Sequence, residues 1–292
     1  MTSNTMTEQA NDLWVVQQGA GPDVLLIGGL GDPVESWQFQ LAGLAGNFRM
    51  TAFDNRGAGR SPLPDGPLTV ESMADDAASV LRAAGIDSAH VAGFSGGSVI
   101  AQEIAIRHPD LVRSLVLVST WARVDDYFRA MGHAWRWIVT NAPSERAFLE
   151  AFFVWIYTRR AHLDGTVSQI VEESLAFPHA ASAEAIQRTL DAFLAHETAD
   201  RLPEISVPAL VLAGAEDVAT PPHYGQVVAD LIPGARFEVW EGEAHQPMQE
   251  APDRFNRRVA DFWRQVDSTS RPSASSPSED VVADAQFAEP VQ

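Results

Sequence analysis

Three side chains of the types used in nucleophilic catalysis follow short apolar runs in the sequence. Ser95 lies within Gly93–Gly97, which reads Gly-Phe-Ser-Gly-Gly and fits the pattern G-x-S-x-G. Asp217 and His245 each follow a later apolar run. A serine hydroxyl becomes a nucleophile when an imidazole takes its proton and a carboxylate orients that imidazole. The order Ser, Asp, His therefore predicts a catalytic triad for acyl transfer.

Each member of this candidate triad has a competing interpretation. The glycine-rich pentapeptide alone is also compatible with a strand-to-helix turn that carries an incidental serine. Glu216 is the alternative orienting acid, and His223 is the alternative base, because both lie near Asp217. The apolar run before Ser95 and the helical pattern after it favour the catalytic interpretation.

Acyl transfer also needs hydrogen-bond donors for the negative oxygen that develops on the substrate. The backbone N–H of Gly96 is one candidate, and Leu30, in the glycine-rich stretch Gly28–Gly31, offers the other. That stretch could instead be an ordinary turn. It does not read as a nucleotide site, since the final glycine of the dinucleotide fingerprint and a G-K-[ST] motif are both missing. Gly96 itself is expected to leave extra room beside the serine.

Short apolar runs alternate with helical patterns along most of the chain. Runs of this kind are typical of strands buried on both faces of a parallel sheet. The pattern predicts a doubly wound, mostly parallel α/β sheet, with the candidate residues at the carboxyl ends of its strands. The predicted strands are 23–27, 48–53, 90–93, 114–118, 209–213 and 236–240, and the predicted helices are 70–84, 99–107, 224–231 and 252–265.

The alternation stops in one long aromatic segment, which predicts a helical cap inserted between two strands. Phe148, Phe152 and Trp155 fall at helical spacing, as one face of a helix requires. We expect most aromatic residues of the cap to form its core, and Phe94, Trp121 and Trp155 to contact substrate. The predicted units are a core of residues 1–120 and 204–267, a cap of 121–203, and a disordered acidic Ser/Pro-rich tail of 268–292.

Composition narrows the class of protein further. The 292 residues carry a formal charge of −19, which disfavours binding to nucleic acids and to anionic membrane surfaces. There is no cysteine, which excludes disulfides, thiolate metal sites and a cysteine nucleophile. Neither a secretory signal nor a membrane-spanning run is recognisable. We therefore expect a cytoplasmic protein.

These residues together resemble the α/β-hydrolase superfamily over nearly all of Leu13–Gln265. Asp54–Ser61 resembles the D-x-R-G-x-G-x-S turn common in its esterase, enol-lactonase, haloperoxidase and epoxide-hydrolase branches, with Arg56 in a structural role. The superfamily usually has His-Gly-x in the oxyanion loop, where this chain has Gly28. Ala195–Pro203 and the Pro221–Pro222 pair are similar to enol-lactonase-like enzymes and to methylesterases that act on polyketides.

The resemblance implies a serine hydrolase that cleaves a carboxylic ester, either a methyl ester or a lactone, of a hydrophobic small molecule through an acyl-enzyme. It implies no metal and no organic cofactor. The same triad also serves perhydrolases of the haloperoxidase type, C–C bond hydrolases and natural-product cyclases. Other members of the fold bind small molecules without catalysis, so these alternatives stay open.

Overall fold

An eight-stranded sheet lies at the centre of the computed structural model, which describes residues 6–10 and 12–270. The strand order is β1-β2-β4-β3-β5-β6-β7-β8, with antiparallel pairing of β1 with β2 and of β2 with β4, and parallel pairing elsewhere. The strands are β1 (Met6–Ala10), β2 (Leu13–Gly19), β3 (Asp23–Ile27), β4 (Arg49–Phe53), β5 (Ala89–Phe94), β6 (Val112–Val118), β7 (Ala209–Gly214) and β8 (Arg236–Trp240).

Helices cover both faces of this sheet and also form the insertion. They are α1 (Gln38–Leu44), α2 (Val70–Ala83), α3 (Gly96–Arg107), α4 (Asp126–Asn141), α5 (Glu145–Phe153), α6 (Arg159–Leu163), α7 (Thr166–Ala176), α8 (Ala183–Ala195), α9 (Pro222–Leu231), α10 (Pro247–Glu250) and α11 (Pro252–Ser270). The predicted fold class, a doubly wound sheet with a helical insertion between two strands, is confirmed.

Successive residues of the central strands are buried on opposite faces of the sheet. In β3, Leu25 and Ile27 belong to one apolar cluster, whereas Val24 and Leu26 belong to the other. Side chains of a strand alternate between the two faces, so a run without polar residues needs a helical layer on each side. The sheet is therefore the middle of three layers.

Different helices supply the two outer layers. Met73 of α2, Ile100 of α3 and Val228 of α9 lie in the first cluster. Leu41 of α1 and Trp263 of α11 lie in the second. Because α3 begins directly after β5, the packing of its apolar side chains against the sheet holds the start of this helix at the carboxyl end of the strand.

The insertion between β6 and β7 consists of α4 to α8, and its described residues contain no strand. Four of its helices begin at a residue whose side-chain oxygen accepts a backbone N–H two or three residues into the helix: Asp125, Ser144, Thr158 and Ser182. Such caps satisfy N–H groups that lack a partner within the helix and typically contribute about 1 kcal/mol each. The cap helices are thus defined by local sequence as well as by packing.

Polar bonds attach the end of the cap to α3, the helix that follows the serine. Arg201 forms two bonds to the buried carboxylate of Glu103, at 2.9 and 2.7 Å. Thr198 donates to Gln102 at 2.5 Å, and Gln102 donates to Thr120 at 2.7 Å. The cap and the serine-bearing turn are therefore connected through one helix.

The structure differs from the sequence predictions at several boundaries. Helix α5 ends at Phe153, so Trp155 lies in the following turn and not on the helical face predicted for it. Helix α11 continues to Ser270, so the first three residues of the expected tail, 268–270, are helical. Residues 271–292, the rest of that predicted tail, lie outside the described residues. Strand β2 was not predicted either; buried and half-exposed residues alternate at its start, so it carries a weaker apolar signal.

Candidate active site

Ser95 stands at a sharp turn between β5 and α3. Its backbone has φ 51° and ψ −123°, a strained conformation for a residue other than glycine. The turn is held by two bonds: the Ser95 N–H donates to Val118 O at 2.9 Å, and the Ser98 N–H donates to Ser95 O at 2.8 Å. The serine is 8% exposed, so other residues cover most of its surface.

The two glycines of the G-x-S-x-G pattern, Gly93 and Gly97, are required by close backbone contacts. A Cβ atom on Gly93 would lie 2.2 Å from the carbonyl oxygen of Gly97. A Cβ atom on Gly97 would lie 2.2 Å from the carbonyl oxygen of Ile27, at the end of β3. Strand and helix can approach this closely only where neither residue carries a side chain.

Gly96 is small for a different reason. A Cβ atom on it would lie 2.1 Å from Cε2 and 2.2 Å from Cζ of Phe193, on cap helix α8. The expectation of extra room beside the serine is therefore wrong on this side. The ring of Phe193 takes that space, and Trp121 packs edge-on against it with 6.2 Å between ring centroids.

His245 and Asp217 complete a continuous set of hydrogen-bonded side chains with the serine. His245 Nε2 lies 3.0 Å from Ser95 Oγ, and His245 Nδ1 lies 2.8 Å from Asp217 Oδ2. Asp217 also accepts the backbone N–H of Ala219 and of Thr220, each at 2.8 Å. These bonds orient the carboxylate toward the imidazole. The imidazole is then held in position to take a proton from the serine, as a general base must be.

The backbone of His245 is held from two directions. Its N–H donates to Ile156 O, in the cap, at 3.1 Å. Its carbonyl oxygen accepts the Ser119 hydroxyl, at the end of β6, at 2.7 Å. The loop that carries the imidazole is therefore tied to both the cap and the sheet.

The two rivals named from the sequence do not reach the serine. Glu216 is exposed, and its backbone N–H donates to Glu243 O at 2.9 Å. His223 is also exposed and packs on the ring of Tyr224 with 4.1 Å between centroids. Of the candidates, only Ser95, Asp217 and His245 are brought together.

The glycine-rich loop after β3 lies directly against the serine. A Cβ atom on Gly29 would lie 3.1 Å from Ser95 Cβ. Leu30 follows it and contributes to the wall of a cavity. Among the described residues, no acceptor is bonded to the backbone N–H of Leu30 or of Gly96. Both predicted oxyanion donors are thus available to an external oxygen.

Asp32 supports this loop and was missed by the sequence analysis. Its Oδ2 accepts the backbone N–H of Gly29 at 3.0 Å, and the side chain also lines the cavity. Burial raises the pKa of the Asp32 carboxyl to about 6, although bonds from Gly29 and Ser36 and the charge of His245 oppose that rise. The sequence held one signal for this role: the histidine usual in the oxyanion loop is replaced by Gly28, so another side chain has to support the loop.

A cavity of about 880 Å³ lies between the cap and the core. Its apolar wall comes mainly from α5 and the segments that follow it, with Phe148, Phe152 and Phe177. Part of its wall is polar: the Tyr157 hydroxyl lies 2.7 Å from Gln249 Oε1 and 3.0 Å from Gln246 Oε1, two alternative acceptors for its one proton. Gln246 directly follows the imidazole in the chain.

None of the three residues predicted to contact substrate lines this cavity, and neither do Ser95 and His245. Phe94 is 2% exposed and packs edge-on against the His245 ring with 5.0 Å between centroids. Trp121 is also 2% exposed and packs against the rings of Phe128 and Phe193. Trp155 is half-buried and packs against the apolar core. All three side chains pack within the protein around the site, and their contact with substrate stays a prediction.

The motif at Asp54–Ser61 builds a loop and does not reach the serine. Asp54 accepts the backbone N–H of Val34 and of Arg60, each at 2.7 Å. Arg56 forms an ion pair with Asp76 on α2. These bonds agree with the structural role expected for the turn.

The geometry and the chain as a whole match one large family. The family described as alpha/beta hydrolase fold matches residues 22–252, and the chain belongs to it. It is therefore an enzyme of the α/β-hydrolase class, and the superfamily resemblance drawn from the sequence is confirmed.

Individual relatives share this architecture over their whole length. "Putative carbamate hydrolase RutD" from Azorhizobium caulinodans is 32% identical over 88% of this chain and 96% of its own. The enol-lactonase from Burkholderia xenovorans has a TM-score of 0.79 at 25% identity, with 89% of this chain and 100% of its own covered. A thermophilic esterase from Thermogutta terrifontis has a TM-score of 0.77 at 25% identity, covering 91% of this chain and 99% of its own.

None of the helices among residues 6–10 and 12–270 has the length and apolarity needed to cross a membrane. The same residues contain no group of three or more His, Asp or Glu side chains arranged to hold a metal ion.

Proposed function

We propose that this chain is a serine hydrolase that cleaves a carboxylic ester, a methyl ester or a lactone, of a hydrophobic small molecule. The observation that carries the proposal is the hydrogen-bonded series from Ser95 through His245 to Asp217, at 3.0 and 2.8 Å. The relatives named as an esterase and as an enol-lactonase support the same bond class.

The proposed reaction has two steps. As Ser95 Oγ attacks the carbonyl carbon, its proton passes to His245 Nε2, and the carbonyl oxygen becomes an oxyanion. His245 then gives that proton to the leaving alkoxide, which leaves an acyl-enzyme. In the second step His245 takes a proton from water, the hydroxide attacks the acyl carbon, and Ser95 recovers its proton as the acid departs.

The backbone N–H groups of Leu30 and Gly96 would stabilise the oxyanion in both steps. Donors of this kind act on charge that develops only in the transition state, and removal of one typically lowers kcat by about 10²–10³-fold. Asp217 would hold the imidazole in the tautomer that accepts a proton at Nε2 and would stabilise the imidazolium.

The cavity supports a hydrophobic substrate with no negative charge. Aromatic rings form much of its wall, which suits an apolar group. Its carboxylates are Asp32, Glu35, Glu145 and Glu173, and no Lys, Arg or His is among the described residues that line it. We expect neutral aryl or alkyl esters to give a higher kcat/KM than matched esters that carry a carboxylate.

Loss of the serine hydroxyl tests the proposal directly. Ser95→Ala should fold normally, fail to react with a fluorophosphonate, and lose ester cleavage against p-nitrophenyl, methyl and lactone substrates. Glu216→Gln is the control, since this exposed acid lies next to Asp217 and contacts neither the imidazole nor the serine. Ester cleavage by Ser95→Ala at the rate of wild type would refute the assignment.

Carbamate cleavage is a second candidate, favoured by the name of the 32% identical relative. A carbamate carbonyl would be attacked by the same serine and would occupy the same two donors. Aryl carbamates that match the aryl esters in their leaving group separate the candidates, because a carbamate hydrolase should release the phenol with repeated turnover. Slow stoichiometric labelling without turnover would oppose this candidate.

A further inference from the structure

The loop that carries Leu30 is supported here by a side chain of its own. The superfamily commonly has a histidine where this chain has Gly28. A Cβ atom on Gly28 would lie 3.0 Å from Asp32 Cβ, so the Asp32 side chain lies where a side chain at position 28 would begin. On the other side of the loop, Asn55 donates to Gly28 O at 2.9 Å. The loop is therefore held at two successive residues, by two different side chains.

Asp32 binds the backbone of Gly29, which lies between Asp32 and the nucleophile Ser95. Its Oδ2 accepts the Gly29 N–H at 3.0 Å. The position that a Cβ atom on Gly29 would occupy is 3.1 Å from Asp32 Oδ2 and also 3.1 Å from Ser95 Cβ. A shift of Gly29 would therefore change the distance between Ser95 and the N–H of the next residue, Leu30. Oxyanion donors act only when they are held close to the geometry of the transition state.

We propose that Asp32 is a positioning residue, whose carboxylate holds the Gly29–Leu30 backbone so that the Leu30 N–H points to the oxyanion. The inference rests on the proposed acyl-transfer function. A charged acceptor binds an N–H about twice as strongly as a neutral one, so the ionised carboxylate should hold the loop better than the protonated acid.

The surroundings of Asp32 make its ionisation sensitive to pH near neutrality. Burial raises its pKa to about 6, with opposing effects from the Gly29 N–H, the Ser36 hydroxyl and the His245 charge. Tyr157, on the cap, is a further titratable group near it, and burial together with the Asp32 charge raises the pKa of that phenol. Acidification through about pH 6 should therefore protonate Asp32 and loosen the loop.

The test compares Asp32→Ala and Asp32→Asn with wild type. Asp32→Ala removes the acceptor, and we expect kcat for a neutral p-nitrophenyl ester to fall by roughly 10–100-fold with little change in KM, somewhat less than full loss of a donor. Asp32→Asn keeps an uncharged acceptor and should recover part of kcat. Its kcat/KM should also fall less steeply than that of wild type as the pH drops through about 6.

Two controls separate this role from simpler ones. Glu216→Gln removes one negative charge near the triad without touching the loop and should leave kcat and the pH profile unchanged. Circular dichroism and thermal unfolding of each variant show whether it is folded. A rise in KM with unchanged kcat would make Asp32 a substrate contact, and wild-type kinetics in Asp32→Ala would show that the loop needs no support; either result overturns the proposal.

The rate of fluorophosphonate labelling at Ser95 tests the role of Asp32 separately from the proposal of ester cleavage. The phosphoryl oxygen of the reagent uses the same donors, so Asp32→Ala should be labelled more slowly even if no ester is turned over. Labelling of wild type without ester turnover would reject the ester proposal alone. Equal labelling rates in wild type and Asp32→Ala would reject the role of Asp32 alone, and a wild type that is not labelled would reject both.

Discussion

Substitution of Gly96 by alanine should destabilise the protein through one contact with the cap. The new methyl group would lie 2.1 Å from Phe193 Cε2, far inside van der Waals contact. The Phe193 side chain is buried, 3% exposed, and it packs against Trp121, so the ring cannot simply rotate away. Backbone strain does not contribute, because Gly96 is not among the residues with positive φ.

The size of the effect follows from this geometry. Forcing one extra methyl into a packed core typically costs about 1–3 kcal/mol. The higher helix propensity of alanine offsets at most about 1 kcal/mol of that cost, and less at the first helical position. We therefore expect Gly96→Ala to lower the free energy of unfolding by about 1–2 kcal/mol.

Removal of the obstructing ring atoms of Phe193 should restore part of the stability that Gly96→Ala loses. Phe193→Leu removes Cε2 and Cζ and should cost about 1–2 kcal/mol alone, less than the roughly 3–5 kcal/mol of truncation to alanine. Leucine keeps a Cδ atom, and Cδ2 of Phe193 lies 2.8 Å from the position of the new methyl group, so the rescue should be partial. Gly96→Ala should cost less in the Phe193→Leu background than in wild type, with a coupling energy of about 1 kcal/mol, above the 0.3–0.5 kcal/mol scatter of independent sites.

Gly97→Ala provides the contrast, because its obstacle is backbone. A Cβ atom there would lie 2.2 Å from Ile27 O and 2.5 Å from Gly28 O, which cannot move without displacing β3 and the oxyanion loop. Urea-unfolding midpoints and ester kcat should be measured for each single variant and for each combination with Phe193→Leu. Rescue of Gly97→Ala by Phe193→Leu, or additive effects of Gly96→Ala and Phe193→Leu, would refute the reasoning.

Two further predictions concern two buried carboxylates, Asp217 of the triad and Glu103 of α3. Asp217→Asn should lower the kcat of ester cleavage by about 10⁴-fold, because an amide no longer orients His245 correctly; initial rates within tenfold of wild type would contradict this. Burial opposes the ionisation of Glu103, but bonds from His196 and Arg201 outweigh it and lower the pKa of Glu103 from 4.5 to about 2. A carboxyl whose pKa is lower in the folded state stabilises the fold above its unfolded pKa, and that contribution is lost as the pH falls toward 2. The difference in urea midpoint between wild type and Glu103→Gln should therefore shrink between pH 7 and about pH 3, and a constant difference would contradict the linkage.

The central strands could be predicted from the sequence because they are buried on both faces. The predicted bounds of β3 and β8 equal those observed, since each is a short run that ends at a glycine or an acidic turn. β2 escaped notice because its burial alternates between buried and half-exposed residues, which gives a weaker apolar signal. Helix α1 was missed for a similar reason, as its short sequence offers only a few apolar positions.

The cap shows where the pattern analysis was insufficient. Its helical character was predictable from aromatic spacing, but which aromatic side chains face the cavity depends on where α5 ends. Phe148 and Phe152 line the cavity, whereas Trp155 lies past the end of the helix and packs elsewhere. Phe193 could not be linked to Gly96 from the sequence, since the two residues belong to different helices and meet only when α8 lies over the serine-bearing turn.

The sequence by itself determined the six parallel strands of the sheet, the turn at Ser95 and the three residue types that can relay a proton, because local patterns define strands, helices and tight turns. Only the tertiary structure decided that Glu216 and His223 stay away from the serine, that Asp32 supports the oxyanion loop, and that the cavity opens beside Leu30 and Gln246. The physical reason is distance along the chain. A contact between residues far apart in sequence depends on how helices and strands pack, and a single sequence carries no local signal for such packing.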